Sequence, residues 1–141
     1  MPLIKFSKMH GLGNDFLVIN AISQPFNADA AFISQLANRH TGIGFDQLLV
    51  IEPAKTADFA CRIFNADGSE AEQCGNGMRC VARFLHEEGL SKSKSLTLQT
   101  KAGLIKTIID DYDHIHVEMG TPHFEPKKIP FSAQQQKIFM K

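Results

Sequence analysis

Short apolar runs, and stretches in which apolar and polar residues alternate, recur along the chain, and both patterns predict β-strands. Residues 59–64 are predicted to be one such strand, in which Phe59, Cys61 and Ile63 are expected to share one face. Turn-forming residues separate the runs at 10–15, 65–69, 102–103 and 110–113. The predicted strands are residues 4–8, 16–19, 48–51, 59–64, 96–100, 104–109 and 114–119.

Two other stretches repeat apolar residues at the three- and four-residue spacing of a helix. Asn27 or Asp29 is the candidate N-cap of the first helix, and Gly89 lies where the second helix would end. The apolar faces are Phe32, Ile33, Leu36 and Ala37 in the first helix, and Met78, Val81, Ala82 and Leu85 in the second.

The order of these elements is two strands, a helix, two strands, a second helix and three strands. Most neighbouring strands are joined by short turns, so the order predicts an α+β fold: a mixed, largely antiparallel sheet with a central helix. Residues 1–120 are predicted to form this domain. Pro122, Pro126 and Pro130 interrupt the pattern afterwards, so residues 121–141 are predicted to be a linker or the start of a further domain.

The composition restricts the classes of function. The chain has 141 residues, is 43% hydrophobic, and carries 15 basic and 15 acidic residues for a net charge of zero. A protein that binds the phosphate backbone of a nucleic acid normally has an excess of basic residues, so nucleic acid is not expected as a partner. No apolar run reaches the roughly 18 residues that span a bilayer, and the start lacks the apolar core of a signal peptide. We therefore expect a soluble, cytoplasmic protein.

The three cysteines are expected to be reduced thiols, because their number is odd and no export signal is present. Without the paired spacing of a zinc site, they predict no metal centre. Cys61 lies within a predicted strand and Cys80 within a predicted helix, so both are predicted to be core residues. Four histidines without metal-ligand spacing or an evident partner carboxylate are interpreted as exposed or as structural residues with satisfied hydrogen bonds: His40, His114, His116 and His123.

The strongest chemical signal is Cys74, at the start of the second predicted helix and after the turn-rich segment 65–69. Free backbone N–H groups and the positive end of the helix dipole meet at such a position, and both lower the pKa of a thiol. The same amides form an anion site, and Gly75 and Gly77 leave room for a ligand against the backbone. An inert cysteine in a glycine-rich turn is the alternative, and the local chemistry alone does not decide between them.

Polar residues also stand at the beginnings of two buried strands. Asn14 and Asp15 precede residues 16–19, and Asp46 and Gln47 precede residues 48–51. Asn14 could offer an amide to a substrate or cap its own turn, and Gln47 could contact a ligand while Asp46 braces its loop. An ordinary turn or loop explains each of these residues taken alone.

Three segments together resemble the diaminopimelate epimerase family: residues 6–16 (FSKMHGLGNDF), 37–49 (ANRHTGIGFDQLL) and 62–83 (RIFNADGSEAEQCGNGMRCVAR). They lie in the family's order and nearly at its spacing, and the resemblance runs from about residue 4 to about residue 131. It implies a cofactor-independent isomerase that interconverts LL- and meso-diaminopimelate in lysine and peptidoglycan biosynthesis. It also implies an enzyme of two similar halves, with the active site between them and one catalytic cysteine from each.

The resemblance assigns roles to six residues of this chain. Cys74 would take or give the α-proton on one face of the substrate. Five further residues would bind the substrate, the last two through backbone amides to its α-carboxylate: Asn14, Gln47, Asn65, Gly75 and Asn76.

The family's second half, with the second catalytic cysteine and the C-terminal strand that completes the sheet of the first domain, has no counterpart in this sequence. We therefore expect a half-site that is inactive alone, with an open sheet edge and uncovered apolar surface. Poor solubility, dimerisation, or pairing with a separate second half should follow. Three alternatives stay open at this point: a non-catalytic fragment or binding module, a related amino-acid racemase such as proline racemase, and a thiol-redox protein. The last is weakened because no CxxC pair is present.

Overall fold

The computed structural model describes residues 4–11, 13–27, 29–72, 75–110, 114–119 and 137–140. In this part of the chain a sheet of nine strands is accompanied by two helices. The strands are β1 (Ser7–Gly11), β2 (Asn14–Asn20), β3 (Gln47–Glu52), β4 (Phe59–Asn65), β5 (Glu70–Ala71), β6 (Ser95–Thr100), β7 (Gly103–Ile109), β8 (Ile115–Met119) and β9 (Lys137–Met140). The helices are α1 (Ala30–Ala37) and α2 (Gly75–Glu87).

The sheet is mixed and largely antiparallel, as the sequence predicts. Its strand order is β1-β2-β3-β4-β6-β7-β8-β9, and β5 pairs with β4 off this path. Only the β2–β3 and β4–β6 pairs are parallel among the described strands. Parallel neighbours need a crossover connection, and α1 and α2 lie in the two connections concerned. The predicted α+β fold is therefore confirmed.

Side-chain alternation along the strands divides the core into two parts, one on each face of the sheet. We call the face covered by α2 the α2 face and the opposite one the α1 face. The predicted grouping of Cys61 and Ile63 is confirmed, since both lie on the α2 face, while Phe64 lies on the α1 face. Strand residues of the α2 face include Phe16, Val18, Leu49 and Ile51, and those of the α1 face include Leu17, Ile19, Leu48 and Val50.

The start of α1 and the end of α2 lie at residues that the sequence singles out. Asp29 is the N-cap of α1, and its side chain accepts a hydrogen bond from the amide of Ala31. After α2, Gly89 adopts a left-handed φ of 71°. The amide of Leu90 then donates to the carbonyl oxygen of Leu85 over 3.0 Å, which is a typical helix C-terminus closed by glycine.

The largest differences from the prediction concern the first strand and the strands β5 and β9. The first strand is Ser7–Gly11 and not residues 4–8, because pairing with β2 continues into the tight turn, up to Gly11 opposite Asn14. The strands β5 and β9 were not predicted; β9 pairs with β8 in antiparallel fashion. The boundary near residue 120 and the interpretation of residues 121–141 stay predictions. Neither described helix is long and apolar enough to cross a membrane.

Candidate active site

Three amide side chains lie at the same end of the α2 face, on three neighbouring strands. Phe16 of β2 is in register with Gln47 of β3, and Gln47 is in register with Asn65 of β4. Asn14 precedes Phe16 by two residues and therefore shares its face. Residues that are distant in the sequence are thus brought together at one edge of the core, as a binding site requires.

Gln47 and Asn65 are joined directly. Nε2 of Gln47 donates to Oδ1 of Asn65 over 3.1 Å, and Nδ2 of Asn65 donates to the hydroxyl of Ser69 over 3.2 Å. Oε1 of Gln47 is buried and has no hydrogen-bond partner among the described residues. An unpaired buried acceptor destabilises the folded chain by about 1–3 kcal/mol. A ligand that donates a hydrogen bond to this oxygen would recover that free energy on binding.

The turn after β4 holds Asn65 in place. The amide of Asn65 donates to the carbonyl oxygen of Ser69 over 2.7 Å. Asp67 accepts hydrogen bonds from the hydroxyl and the amide of Ser69, and these bonds lower the pKa of Asp67. Gly68 has a φ of 91°, and a Cβ atom at this position would lie 2.4 Å from the carbonyl oxygen of Ala30. The turn therefore packs against the start of α1 with no room for a side chain.

Two carboxylates lie on the α1 face at the same strand ends, next in sequence to the amides. Asp15 accepts two hydrogen bonds of 2.9 Å from the guanidinium of Arg39, and Arg39 also donates to Asp46 over 3.2 Å. The amide of Asp15 donates to Asp46, and the amide of Asp46 donates to Asp15. We call Asp15, Arg39 and Asp46 the bracing network. The predicted bracing role of Asp46 is confirmed by these contacts.

The bracing network fixes the charge of its members. The hydrogen bonds from Arg39 hold the pKa of Asp15 well below its usual range, although burial of this carboxylate acts in the opposite direction. In return, Asp15 raises the pKa of Arg39. The two backbone segments that carry Asn14 and Gln47 are therefore tied together by an ion pair that stays ionised at neutral pH.

The first turn of α2 carries the residues predicted to hold a carboxylate. Gly75 is the first residue of the helix and Asn76 the second. Oδ1 of Asn76 accepts a hydrogen bond of 3.2 Å from Nη1 of Arg79. Burial lowers the pKa of Arg79, while the neighbouring Cys80 opposes this shift. Cys74 lies outside the described residues, so its catalytic role stays a prediction.

The remaining cysteines and histidines are mostly as expected. Cys61 and Cys80 are buried in the core of the α2 face, as predicted. The histidine prediction needs one correction, because Asp110 is a partner carboxylate: its Oδ2 lies 3.0 Å from Nε2 of His116 and 3.5 Å from Nδ1 of His114. No group of three potential metal ligands occurs in the described part of the chain; His123 lies outside it.

Sequence reasoning missed two arginines at the site. Arg39 could have been found from the two carboxylates that alternation places on one face, since two close carboxylates both stay ionised more readily beside a cation. Arg79 follows Asn76 by three residues, which is a spacing at which helical side chains meet. Neither arginine is marked by a sequence pattern of its own, because the contacts that give each its role form only in the folded chain.

Comparison with known proteins agrees with the segments singled out in the sequence. The family model for diaminopimelate epimerase matches residues 6–125. The chain is 55% identical over 135 residues to the diaminopimelate epimerase of Acinetobacter baumannii (strain AYE), covering 94% of this chain and 48% of that protein. It is 50% identical over 136 residues to the diaminopimelate epimerase of Nitrosomonas europaea, covering 96% of this chain and 50% of the relative. The chain thus spans about half the length of the curated relatives it matches.

Solved structures share the fold at low sequence identity. A hydroxyproline epimerase from Agrobacterium vitis matches with a TM-score of 0.62 at 19% identity, over 80% of this chain and 40% of that one. A PhzF-family phenazine biosynthesis protein from Bacillus anthracis matches with a TM-score of 0.58 at 22% identity, over 82% and 38%. These likenesses show the fold alone. The match of the family model over residues 6–125, together with relatives in which half or more of the aligned residues are identical, shows that the chain belongs to the diaminopimelate epimerase family.

Proposed function

We propose that this chain supplies one half-site of a cofactor-independent epimerase that interconverts LL- and meso-2,6-diaminopimelate. The observation that carries the proposal is the Gln47–Asn65 pair, with a buried acceptor oxygen left open on Gln47. Both residues belong to the segments shared with the family, and the Gln47 oxygen suits an ammonium or amide donor of an amino-acid substrate. Cytoplasmic location, and a partner that is either a second copy or a separate second half, are parts of the same proposal.

Two groups of residues, one at the strand ends and one at the start of α2, would orient the substrate. The amide side chains of Asn14, Gln47 and Asn65 would bind the polar groups of the amino acid from the strand ends. Gly75 and Asn76 would hold the α-carboxylate through backbone amides at the start of α2, where unpaired N–H groups favour an anion. Holding the carboxylate and the amino group together fixes Cα, which is what a stereochemically defined proton transfer needs.

The reaction step assigned to this half-site is a proton transfer between Cα of the substrate and Cys74. The thiolate of Cys74 removes the α-proton, forming an S–H bond while the electron pair of the C–H bond remains on Cα and delocalises into the α-carboxylate. A thiol on the opposite side then gives its proton to Cα and becomes the thiolate. In the reverse reaction the roles exchange, so Cys74 acts as base in one direction and as acid in the other.

The negative charge that develops on the substrate needs electrostatic stabilisation. Backbone N–H groups at the start of α2, and the positive end of its dipole, are oriented before the reaction and need no rearrangement during it. Hydrogen-bond donors preorganised in this way contribute about 3–4 kcal/mol in enzymes where one has been removed. The carboxylate pocket would therefore serve both binding and catalysis.

Inversion also explains why a single half-site is insufficient. A base and an acid must stand on opposite sides of Cα, and one cysteine cannot occupy both positions. Cys61 and Cys80 are buried in the core of the α2 face and so are poorly placed to act as the second group. The proposal therefore assigns the second thiol to a different half.

The test uses two proteins. One is the full chain by itself, and the other is a chimera in which this chain replaces the half of the Acinetobacter baumannii relative that it matches. Each is incubated with LL-diaminopimelate in heavy water, and the meso isomer and deuterium at Cα are measured. We expect epimerisation by the chimera, its loss in the Cys74→Ser chimera, and no inversion by the chain alone. The matched control is Cys80→Ser, a neighbouring cysteine outside the proposed chemistry, which should retain activity if the chimera folds.

Each other outcome counts against a defined part of the proposal. Epimerisation by the chain alone would overturn the half-site assignment. A folded chimera that neither exchanges nor epimerises diaminopimelate would overturn the substrate assignment. Undiminished activity of the Cys74→Ser chimera would remove Cys74 from the mechanism.

A further inference from the structure

Arg79 is a buried cation with few partners. Only 1% of its surface is exposed, and its Nη1 donates to Oδ1 of Asn76 over 3.2 Å. Its Nε is buried without a hydrogen-bond partner among the described residues. A guanidinium carries five N–H donors, and burying one without matching acceptors or a counter-charge is costly.

The position of Arg79 adds to this cost. A positive side chain near the N-terminus of a helix opposes the helix dipole, which favours an anion there. The first turn of α2 contains no acidic residue that could compensate. Partial satisfaction of a buried polar group calls for an explanation, and a bound anion at the first turn would supply the missing counter-charge.

We propose that Arg79 is a positioning residue of the carboxylate pocket, which it serves by adding a buried positive charge to the first turn of α2. The hydrogen bond to Asn76 fixes where this charge lies and orients the side chain of Asn76. This inference rests on the proposed function, because the anion that it concerns is the α-carboxylate of the substrate. Arg79 acts through the field and through Asn76.

The pocket can be probed without turnover, by alkylation of Cys74. Iodoacetate carries a carboxylate and iodoacetamide is its neutral counterpart, and both react with the thiolate. The ratio of their rate constants therefore cancels the pKa of Cys74 and reports the attraction of the site for an anion. Rates are followed by mass spectrometry of the Cys74 peptide at low ionic strength, and the same chain unfolded in urea is the reference.

For the wild-type chain we expect the ratio to be at least about fivefold higher in the folded than in the unfolded state, because a unit charge in a partly desolvated site is weakly screened. In Arg79→Met the folded ratio should fall by about fivefold or more. Arg79→Lys keeps the charge only at a pH at which the buried lysine is protonated, and at such a pH the ratio should stay within about twofold of wild type. Arg83→Met is the matched control, since it removes the same charge one helical turn further along α2, and it should also stay within about twofold.

Several results would overturn the proposal: equal ratios in the folded and unfolded wild type, an unchanged ratio in folded Arg79→Met, or an equal fall in Arg83→Met. If Arg79→Met does not fold by circular dichroism, the comparison of the folded and unfolded wild-type chain decides, and equal ratios in the two states refute the role of charge. Failure of the proposed function is a separate result. A chimera that is inactive on diaminopimelate, but in which Arg79 still controls the ratio, would leave an anion pocket for a different carboxylate.

Discussion

The substitution Gly68→Ala tests whether the turn that carries Asn65 is held by close packing against α1. Gly68 is buried and has a φ of 91°. An alanine Cβ would lie 2.4 Å from the carbonyl oxygen of Ala30 and 2.8 Å from its Cα. These are backbone atoms of the first turn of α1, so relief requires moving the helix or the turn.

The expected loss has two parts. A side chain in the left-handed region costs about 1–2 kcal/mol, and a clash that displaces packed backbone adds about 1–3 kcal/mol. We therefore expect Gly68→Ala to lower the free energy of unfolding by about 3 kcal/mol, a large share of the roughly 5–15 kcal/mol that stabilises a domain.

The matched control is Gly13→Ala. Gly13 has nearly the same φ, 89°, but beyond its chain neighbours no described atom lies within 4 Å of a Cβ placed there. This variant should show the backbone cost alone, about 1–2 kcal/mol. Urea unfolding of both variants, followed by circular dichroism, gives the two free energies at a common slope. Equal losses in the two variants would refute the close-packing argument, because only Gly68 has the clash.

Three further predictions concern individual side chains. The pKa of Asp15 is lowered in the folded state, so its stabilising effect is complete above about pH 4, the ordinary range of an aspartate, and is lost as the pH falls below it. Urea unfolding of Asp15→Asn should accordingly show a lower stability at pH 7 and a smaller loss than wild type between pH 5 and 3; a larger loss would contradict this. Gln47→Met should change the free energy of unfolding by less than about 1 kcal/mol, because the loss of a hydrogen bond is offset by removal of an unpaired buried oxygen. The same substitution should raise the KM of the chimera for diaminopimelate, and an unchanged KM would remove Gln47 from the site. Glu70→Gln should lower the free energy of unfolding by less than about 1 kcal/mol, and should not lower it in 1 M salt, because the ion pair is solvent-accessible: the side chain of Arg62 is 42% exposed and that of Glu70 is 26% exposed. A larger, salt-independent loss in urea unfolding would contradict a surface ion pair.

The elements that could be predicted from the sequence are those that bury a regular pattern. The apolar stripe of Met78, Val81 and Leu85 predicts α2 because burial selects one helical face, and these residues are indeed fully buried. The caps Asp29 and Gly89 were predicted for a similar reason, since each satisfies backbone groups within a few residues. In all these cases the cause is local and can be seen in a short window of sequence.

What escaped prediction depends on contacts between distant segments. The two residues of β5 and the four of β9 form strands through their partners β4 and β8, and so short a segment carries no readable alternation. The ion pair of Asp15 and Arg39 joins residues 24 apart, and the environment of Arg79 depends on how α2 packs on the sheet. Such contacts follow from register and packing, which one sequence does not specify.

Register accounts for a feature of the sequence that turn chemistry alone does not explain, namely why two polar residues precede each of two buried strands. In both pairs, Asn14–Asp15 and Asp46–Gln47, alternation directs the amide to the α2 face and the carboxylate to the α1 face. The carboxylates meet at Arg39 and tie the strand ends together, while the amides remain available on the opposite side. A shift of one residue would exchange the two roles and bury carboxylates in the site. The proposed binding role of the amides and the bracing role of the carboxylates are therefore specified by the same register, so neither residue of a pair can be moved without the other.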